Sequence, residues 1–566
     1  MMNIRERVEK LFKDAIVAAG FEKVALKDSS SKDSGDIVVE VTYPVNIELA
    51  DLSFSTSMKI ANVYKENSIE IAKKILSKIK EDEYIEKIEI AGMGFINIFL
   101  SEKFFKENLR EILENNDYGK NKDLDKEKMI VEYTDLNPFK KFHIGHLMSN
   151  AVGEAMARIF EYNGAEVKRA DYQGDTGLHV AKAVWAVLKG KGRAEDGTGY
   201  AAGAKAYEED EEAKKEINDV NKKIYSKEDE RINEIYKKGR EDSLEMFEKI
   251  YKKLGTKFDF YFFESETWMI GKEIVEENKQ KVFEESEGAI VFRGEKRNKA
   301  LHTRVFINKE GLPTYEAKEL GLAKLKSEKY SFSKSVVVTG NEVDAYFKVV
   351  LEAMKEIMPE LAEKIVHISH GMLRLPTGKM SSRTGEAIAA EDLIEKVKEE
   401  IYLKVAEKDG FNLDNWKKIG DKVAVGAIKY SILKQSPGRD IIFDFEKSIS
   451  FEGDSGPYLM YTYARIKSLL EQAEKGGIKG EISEDFEMNQ IIRVLSRFSE
   501  VIKEAKENLT PNYIATYLYE LASAFNAFYA GNKIANSKGR VALAESVGRV
   551  LKNGLYVLGI EVVEKM

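Results

Sequence analysis

Apolar positions in the first hundred residues fall into short, separate runs. They predict a helix near residues 3 to 19, a strand at Ile37 to Val41, a helix from about Ser57 to Lys80, and strand pairing over IEKIEIAGMGFINIFLS. A small α+β domain over residues 1–115 accommodates them. The charged stretch NDYGKNKDLDKEK, residues 116 to 128, is poor in apolar side chains and reads as a linker. A strand then starts at Met129, a strongly apolar helix runs from about His146 to Tyr162 and ends at Asn163-Gly164, and a second strand covers Glu166 to Tyr172. That order predicts a βαβ unit and a parallel, Rossmann-type sheet.

Residues 186 to 260 read as helical and highly charged. The run EEDEEAKKEINDVNKKIYSKEDER holds too few apolar residues for a core, so a solvated helical insertion is expected at about 186–285. IVFRG, LHTRVFI, SVVVTG and IVHISHGML follow as strands, with helices from about Tyr315 and over Tyr346 to Ile357, and together they read as the second half of a doubly wound sheet closing near residue 390. Helical patterning dominates residues 391–566. The fold class is α/β: a Rossmann-type domain over 116–390, flanked by the small N-terminal domain and an all-helical C-terminal one.

Composition narrows the field. The chain has 566 residues, 43% hydrophobic and 33% charged, which suits several globular domains and excludes a disordered or fibrous protein. No apolar leader and no run of 18 apolar residues is visible, so a cytoplasmic protein without membrane contact is expected. Cysteine is absent, which excludes disulfides, thiolate nucleophiles and cysteine-built zinc sites. With 89 Lys and Arg against 97 Asp and Glu, the net charge of −8 does not mark a nucleic-acid binder, yet it leaves room for a basic face.

Two short motifs carry chemistry. His143-Ile144-Gly145-His146 stands where the first strand hands over to its helix. A helix start offers unpaired N–H groups to phosphate, the glycine admits a nucleotide, and two imidazoles can donate to triphosphate oxygens. Lys379-Met380-Ser381-Ser382-Arg383 lies between Gly378 and Gly385, where its cations could settle over a transferring phosphate.

These motifs resemble the HIGH and KMSKS signatures of class I aminoacyl-tRNA synthetases. VEYTDLNPFKKFHIGHL, YQGDTG, GLPTYEAKELGLAK, GKMSSRTG, DSGPYLMYTYARI and VLGIEVVEKM are similar to segments of the arginyl-tRNA synthetase family within that class, and the likeness spans the chain. The resemblance implies an arginine–tRNA ligase that uses ATP with Mg2+ as co-substrate, holds no tightly bound cofactor or protein-built metal site, and acts as a monomer on L-arginine and tRNA(Arg). It places His143, His146, Lys140, Lys379 and Arg383 in catalysis. ATP would meet Gly145, Gly174, Asp175, Gly177, Met380, Ser381 and Ser382. Arginine would meet Glu132, Asn137, Tyr315 and Glu319, an acceptor-rich set suited to a guanidinium. Tyr458, Tyr461 and Arg465 would meet anticodon bases in a helical anticodon-binding domain.

The sequence departs from that family in three places. Glu319 stands where aspartate is usual, and Val343 and Tyr346 replace glutamine and histidine. Ser382 replaces the second lysine of KMSKS; the resemblance implies compensation by a lysine just upstream of HIGH, and Lys140, three residues before His143, stands at the matching position, with Lys141 beside it equally eligible. Among rivals, cysteinyl and methionyl synthetases commonly bind zinc through cysteine. A small-molecule nucleotidyltransferase has little use for the helical C-terminal region, and a non-catalytic tRNA-binding paralogue need not keep either motif.

Overall fold

The computed structural model describes residues 3–21, 24–26, 37–44, 49–376, 388–406, 412–483 and 486–566. They form two compact units, one of Met1–Gly119, Ile466–Val501 and Glu520–Asn553, the other of Lys120–Arg465, Ile502–Tyr519 and Gly554–Met566.

In the first unit an antiparallel sheet runs Val41–Thr42, Leu52–Phe54, Phe95–Leu100, Ile85–Ala91 in spatial order. Alternation buries Leu52, Phe54, Ile96, Ile98 and Leu100 against Phe12, Ile60, Ile71 and Ile75 of the neighbouring helices. Two expectations are corrected here. The single helix from Ser57 to Lys80 is two helices, Thr56–Tyr64 and Ser68–Leu76. Lys65 takes a left-handed φ of 58°, and the Asn67 side chain then accepts from the N–H groups of Ile69 and Glu70, starting a new helix. The strand at Ile37 to Val41 is likewise divided, because the Glu40 N–H donates to Thr56 Oγ1 at 3.1 Å instead of to a strand.

The second unit is built on five parallel strands: β1 (Lys128–Glu132), β2 (Glu166–Gln173), β3 (Phe260–Phe263), β4 (Lys334–Gly340) and β5 (Ile365–His370), in the order β5-β4-β1-β2-β3. The chain therefore builds outward from β1 in one direction and returns to lay β4 on its other side. Helix α1 (Ile144–Tyr162) links β1 to β2 and is buried almost all round, which explains its unbroken apolar sequence. Helices α2 (Glu264–Glu277) and α3 (Tyr315–Lys329) pack backbone to backbone. A Cβ on Gly271 would lie 1.9 Å from Ala317 O, and one on Gly321 would lie 2.2 Å from Thr267 O. Helix α4 (Asp344–Ile357) then connects β4 to β5.

IVFRG and LHTRVFI do not join this sheet. Ala289–Arg293 and Thr303–Ile307 pair antiparallel with each other in a separate three-stranded sheet, because the short connection between them has no helical crossover of the kind that parallel neighbours need. The charged insertion also has a core. Ala213, Ile217, Val220 and Ile224 are buried with Val180 and Val184, because their spacing puts all four on one face of the helix Glu211–Ser226. The C-terminal region has long helices at Leu413–Leu433, Gly456–Lys475, Asn512–Gly531 and Lys538–Val557, but it is not all-helical as expected, because the short strand Ile441–Ile442 pairs parallel with Leu373–Arg374. Among the described residues no helix is long and apolar enough to cross a membrane.

Candidate active site

The strand order reverses between β1 and β4, and the crevice beyond the carboxyl ends of two such strands is where open α/β sheets bind ligands. A cavity of about 1120 Å³ opens there, lined by Glu132 at the end of β1 with Thr134, Asp135 and Asn137 after it, and by Thr339 and Gly340 at the end of β4 with Glu342 and Val343 after it. That exceeds the roughly 300–1,000 Å³ of an ordinary small-molecule pocket, so two small substrates can share it. The loop after β1 is strained: Thr134 (φ 81°), Asp135 (φ 51°) and Phe139 (φ 69°) are left-handed without being glycine. Buried hydrogen bonds hold it. The Thr134 N–H donates to Ser149 Oγ (3.0 Å), Asn150 Nδ2 to Thr134 Oγ1 (3.0 Å), and the Phe139 N–H to Ser243 Oγ (3.1 Å).

His143 and His146 open α1 as a reciprocal cap. The Gly145 N–H donates to His143 Nδ1 (3.1 Å), the His143 N–H donates to His146 Nδ1 (3.3 Å), and the rings stack at 3.7 Å. A backbone N–H can only donate, so both Nδ1 atoms are acceptors and the ring protons sit on Nε2. Burial holds both imidazoles below the usual histidine range, and neighbouring positive groups add to the effect, so they are neutral Nε2–H donors at neutral pH. Both line the cavity.

The opposite wall is acidic. Glu132, 1% exposed, takes a hydrogen bond from Lys326 Nζ at 2.9 Å, and Glu264, 3% exposed, takes one from Lys318 Nζ at 2.6 Å. Burial, reinforced by the Glu132 carboxylate, pushes the Glu319 carboxyl up to about 8. Asp135 is also held well above the usual range, by burial and by Glu132 and Asp171. Asn137 Oδ1 accepts from the Gly174 N–H at 2.7 Å, and a Cβ on Gly174 would lie 2.4 Å from that oxygen, so only glycine lets this contact form. One lone pair of the Asn137 oxygen is taken by this contact, and its second lone pair and the amide N–H groups make no further hydrogen bond among the described residues.

The structure thus gathers Glu132, Asn137, Tyr315, Glu319, His143, Gly145, His146 and Gly174 around one cavity. Three predicted residues stand back from it. The Asp175 carboxylate is taken up by Ser265, Tyr236 and Arg240, bracing the turn from inside. Gly177 starts the helix Leu178–Leu188 with a φ of 105°. The Lys140 ammonium lies 5.1 Å from the Tyr200 ring centre and makes no ion pair among the described residues, and burial lowers its pKa. Lys379, Met380, Ser381, Ser382 and Arg383 fall outside the described residues. Tyr458 and Tyr461 are half-buried, with the Arg465 guanidinium 4.9 Å from the Tyr461 ring centre.

Sequence reasoning missed Asp135 and Glu264 as wall residues, and Tyr346 and Val343, set apart there only as departures from the family, also line the cavity. Glu264 had a visible signal: it directly follows the aromatic strand FYFF, at the carboxyl end where α/β sites form. Among the described residues no group of three or more histidines and carboxylates is placed to hold a metal ion.

Neutral imidazole donors at the head of the helix after β1, facing a cavity at the switch point of a parallel sheet, define a Rossmann-type nucleotide-binding enzyme. Comparison with known proteins refines this. Residues 108–445 match the model for "tRNA synthetases class I (R), catalytic domain", residues 459–566 that for the DALR anticodon binding domain, and residues 6–100 that for the arginyl tRNA synthetase N terminal domain. An arginine–tRNA ligase of Clostridium acetobutylicum is 31% identical over 94% of this chain and 97% of its own length, and one of Borrelia hermsii is 29% identical over the whole of both. The solved arginyl-tRNA synthetase of Thermus thermophilus shares the fold, with a TM-score of 0.80 at 23% identity over the full length of both chains. The chain belongs to the arginyl-tRNA synthetase family, and its catalytic domain is that of an ATP-using class I ligase.

Proposed function

We propose that the chain activates L-arginine with ATP and passes it to the 3′ end of tRNA(Arg), releasing AMP and pyrophosphate. The observation that carries this reading is the pairing of two neutral imidazole donors with a carboxyl-rich wall in one cavity. Glu132 and Glu319 receive the guanidinium, and the Asn137 amide and Tyr315 hydroxyl hold the remainder of the amino acid. An oxygen of the arginine carboxylate attacks the α-phosphorus of ATP, and the bond to pyrophosphate breaks. His143 and His146 donate from Nε2 to phosphate oxygens, Gly145 and Gly174 let the nucleotide approach, and Asp175 and Gly177 hold the turn that carries Gly174. Lys140, Lys379 and Arg383 meet the charge that develops on pyrophosphate, and Met380, Ser381 and Ser382 contact ATP. Mg2+ enters with ATP as part of the substrate. The 3′-terminal adenosine hydroxyl of the tRNA then attacks the acyl carbon, and AMP departs.

Residues 1–115 and 391–566 serve as tRNA-contacting regions beside the catalytic domain of 116–390, with anticodon bases stacking on Tyr458 and Tyr461 while Arg465 meets phosphate. The protein works as a cytoplasmic monomer. Because its family resemblance extends to enzymes that assemble the site only on bound tRNA, pyrophosphate exchange into ATP is expected to require tRNA as well as arginine. Robust exchange with arginine alone would contradict this.

Proton linkage gives another expected result. The Glu319 carboxyl is protonated in the empty cavity at pH 7, whereas a guanidinium binds the ionised form. Arginine affinity therefore rises with pH and levels off above about 8, and near neutrality binding releases protons. The raised value also means that the empty protein loses stability as pH climbs from the ordinary carboxylate range through about 8, a loss that bound arginine offsets. Titration calorimetry in buffers of different ionisation enthalpy counts the protons, and binding with none released at pH 7 sinks the assignment of Glu319.

A further inference from the structure

Behind the acidic wall stands a buried cation that does not line the cavity. Lys326, on α3, is 2% exposed and donates to Glu132 Oε2 at 2.9 Å and to Ser335 Oγ of β4 at 3.3 Å. Glu132 Oε1 takes no hydrogen bond from the described residues, while Glu132 itself lines the cavity. Glu132 acts electrostatically on Asp135 in the loop after β1, Tyr172 on β2 and Glu319 on α3; Asp171 on β2 in turn faces Asp135, and Glu264 on α2 and Tyr346 on α4 face Glu319. Lys318 is committed to Glu264, so Lys326 is the cation fixed on Glu132 itself. Buried carboxyls this close compete for charge, and burial together with neighbouring carboxylates holds Asp135 and Glu319 above the usual range.

We infer that Lys326 is a positioning residue for the amino-acid substrate: by binding one oxygen of Glu132 it holds that carboxylate in place and reserves the other oxygen for the guanidinium. The inference rests on the reading of this cavity as the arginine site. Its logic is that of an orienting partner behind a ligand, where a flexible carboxylate is held in one rotamer by a buried hydrogen bond.

The test is calorimetric titration of arginine into wild type, Lys326→Met, Lys326→Arg and Glu132→Gln at several values between about pH 6.5 and 9, with ATP KM and thermal melts alongside. In Lys326→Met the arginine Kd is expected to rise on the order of tenfold or more at pH 7, with the deficit narrowing toward pH 9, where carboxyls deprived of the cation ionise. About one more proton is released on binding at neutral pH, and ATP KM stays the same. Lys326→Arg keeps a cation in place and the wild-type pH profile. A deficit equal at every pH and shared by Lys326→Arg would make Lys326 merely structural and overturn the inference. If Lys326→Met does not fold, Lys326→Arg still decides, because a shifted pH profile with the cation retained contradicts the proposed role. Glu132→Gln separates the two readings. Unchanged arginine affinity there removes the arginine site itself, whereas a weakened Glu132→Gln beside a normal Lys326→Met removes only the role of Lys326.

Discussion

Glu132→Gln is expected to lower kcat/KM for arginine by about 2 to 4 kcal/mol, roughly thirtyfold to a thousandfold, because the substrate's guanidinium loses a charged partner in a water-poor pocket. The substitution keeps the shape of the side chain and an oxygen that can still accept from Lys326 at the position now 2.9 Å away. Its cost to folding should therefore fall below the roughly 3 to 5 kcal/mol seen when a buried pair loses one member outright. The kinetic loss should exceed the loss of stability read from denaturant melts. Steady-state aminoacylation across arginine concentrations checks the prediction, and unchanged arginine kinetics would remove Glu132 from the pocket.

Lys140→Ala should lower kcat on the order of a hundredfold, about 3 kcal/mol, while changing the arginine KM little. The argument joins two observations. Ser382 leaves the second motif one cation short, and Lys140, in the turn before His143, is desolvated yet holds no ion pair among the described residues. Keeping an ammonium partly out of water without a carboxylate partner is costly, and the cost is recovered when phosphate charge arrives. Lys141 is exposed, so Lys141→Ala should be close to neutral. Installing lysine at Ser382 in the Lys140→Ala background should restore part of the rate. A severe Lys140→Ala that Ser382→Lys does not relieve at all contradicts compensation, and a harmless Lys140→Ala beside a damaging Lys141→Ala points to the neighbouring lysine.

The parts of this protein that depend on local pattern could be read from the sequence. The β1–α1–β2 unit and the placement of His143 and His146 at its helix start follow from a short apolar run, a loop and a long apolar helix, and the structure keeps all three. What depends on packing between distant elements could not. Lys318 and Lys326 belong to a helix with acid and lysine at many positions, YEAKELGLAKLKSEK, where a solvated surface is the natural expectation. Both are buried only because Glu264 and Glu132, carried by other elements, come to meet them. Asp175 gives the opposite lesson: its motif suggested a ligand contact, and tertiary packing gave its carboxylate to Ser265, Tyr236 and Arg240. In the insertion, four apolar residues at helical spacing were outweighed by the surrounding charge, although a single stripe is enough once a partner helix covers it. The antiparallel pair Ala289–Arg293 and Thr303–Ile307 was assigned to the wrong sheet because strand pattern alone does not give strand partners.

The most direct measurement is aminoacylation of total tRNA with each of the standard amino acids in turn, in the presence of ATP and Mg2+. The acidic wall of Glu132, Asp135, Glu264 and Glu319 suits a planar cation and leaves buried carboxyls unpaired with any neutral side chain. The account predicts that arginine alone is esterified at a substantial rate, with lysine far behind for want of the guanidinium fork. Charging of another amino acid at a comparable rate, or no charging of arginine by folded protein, would contradict it.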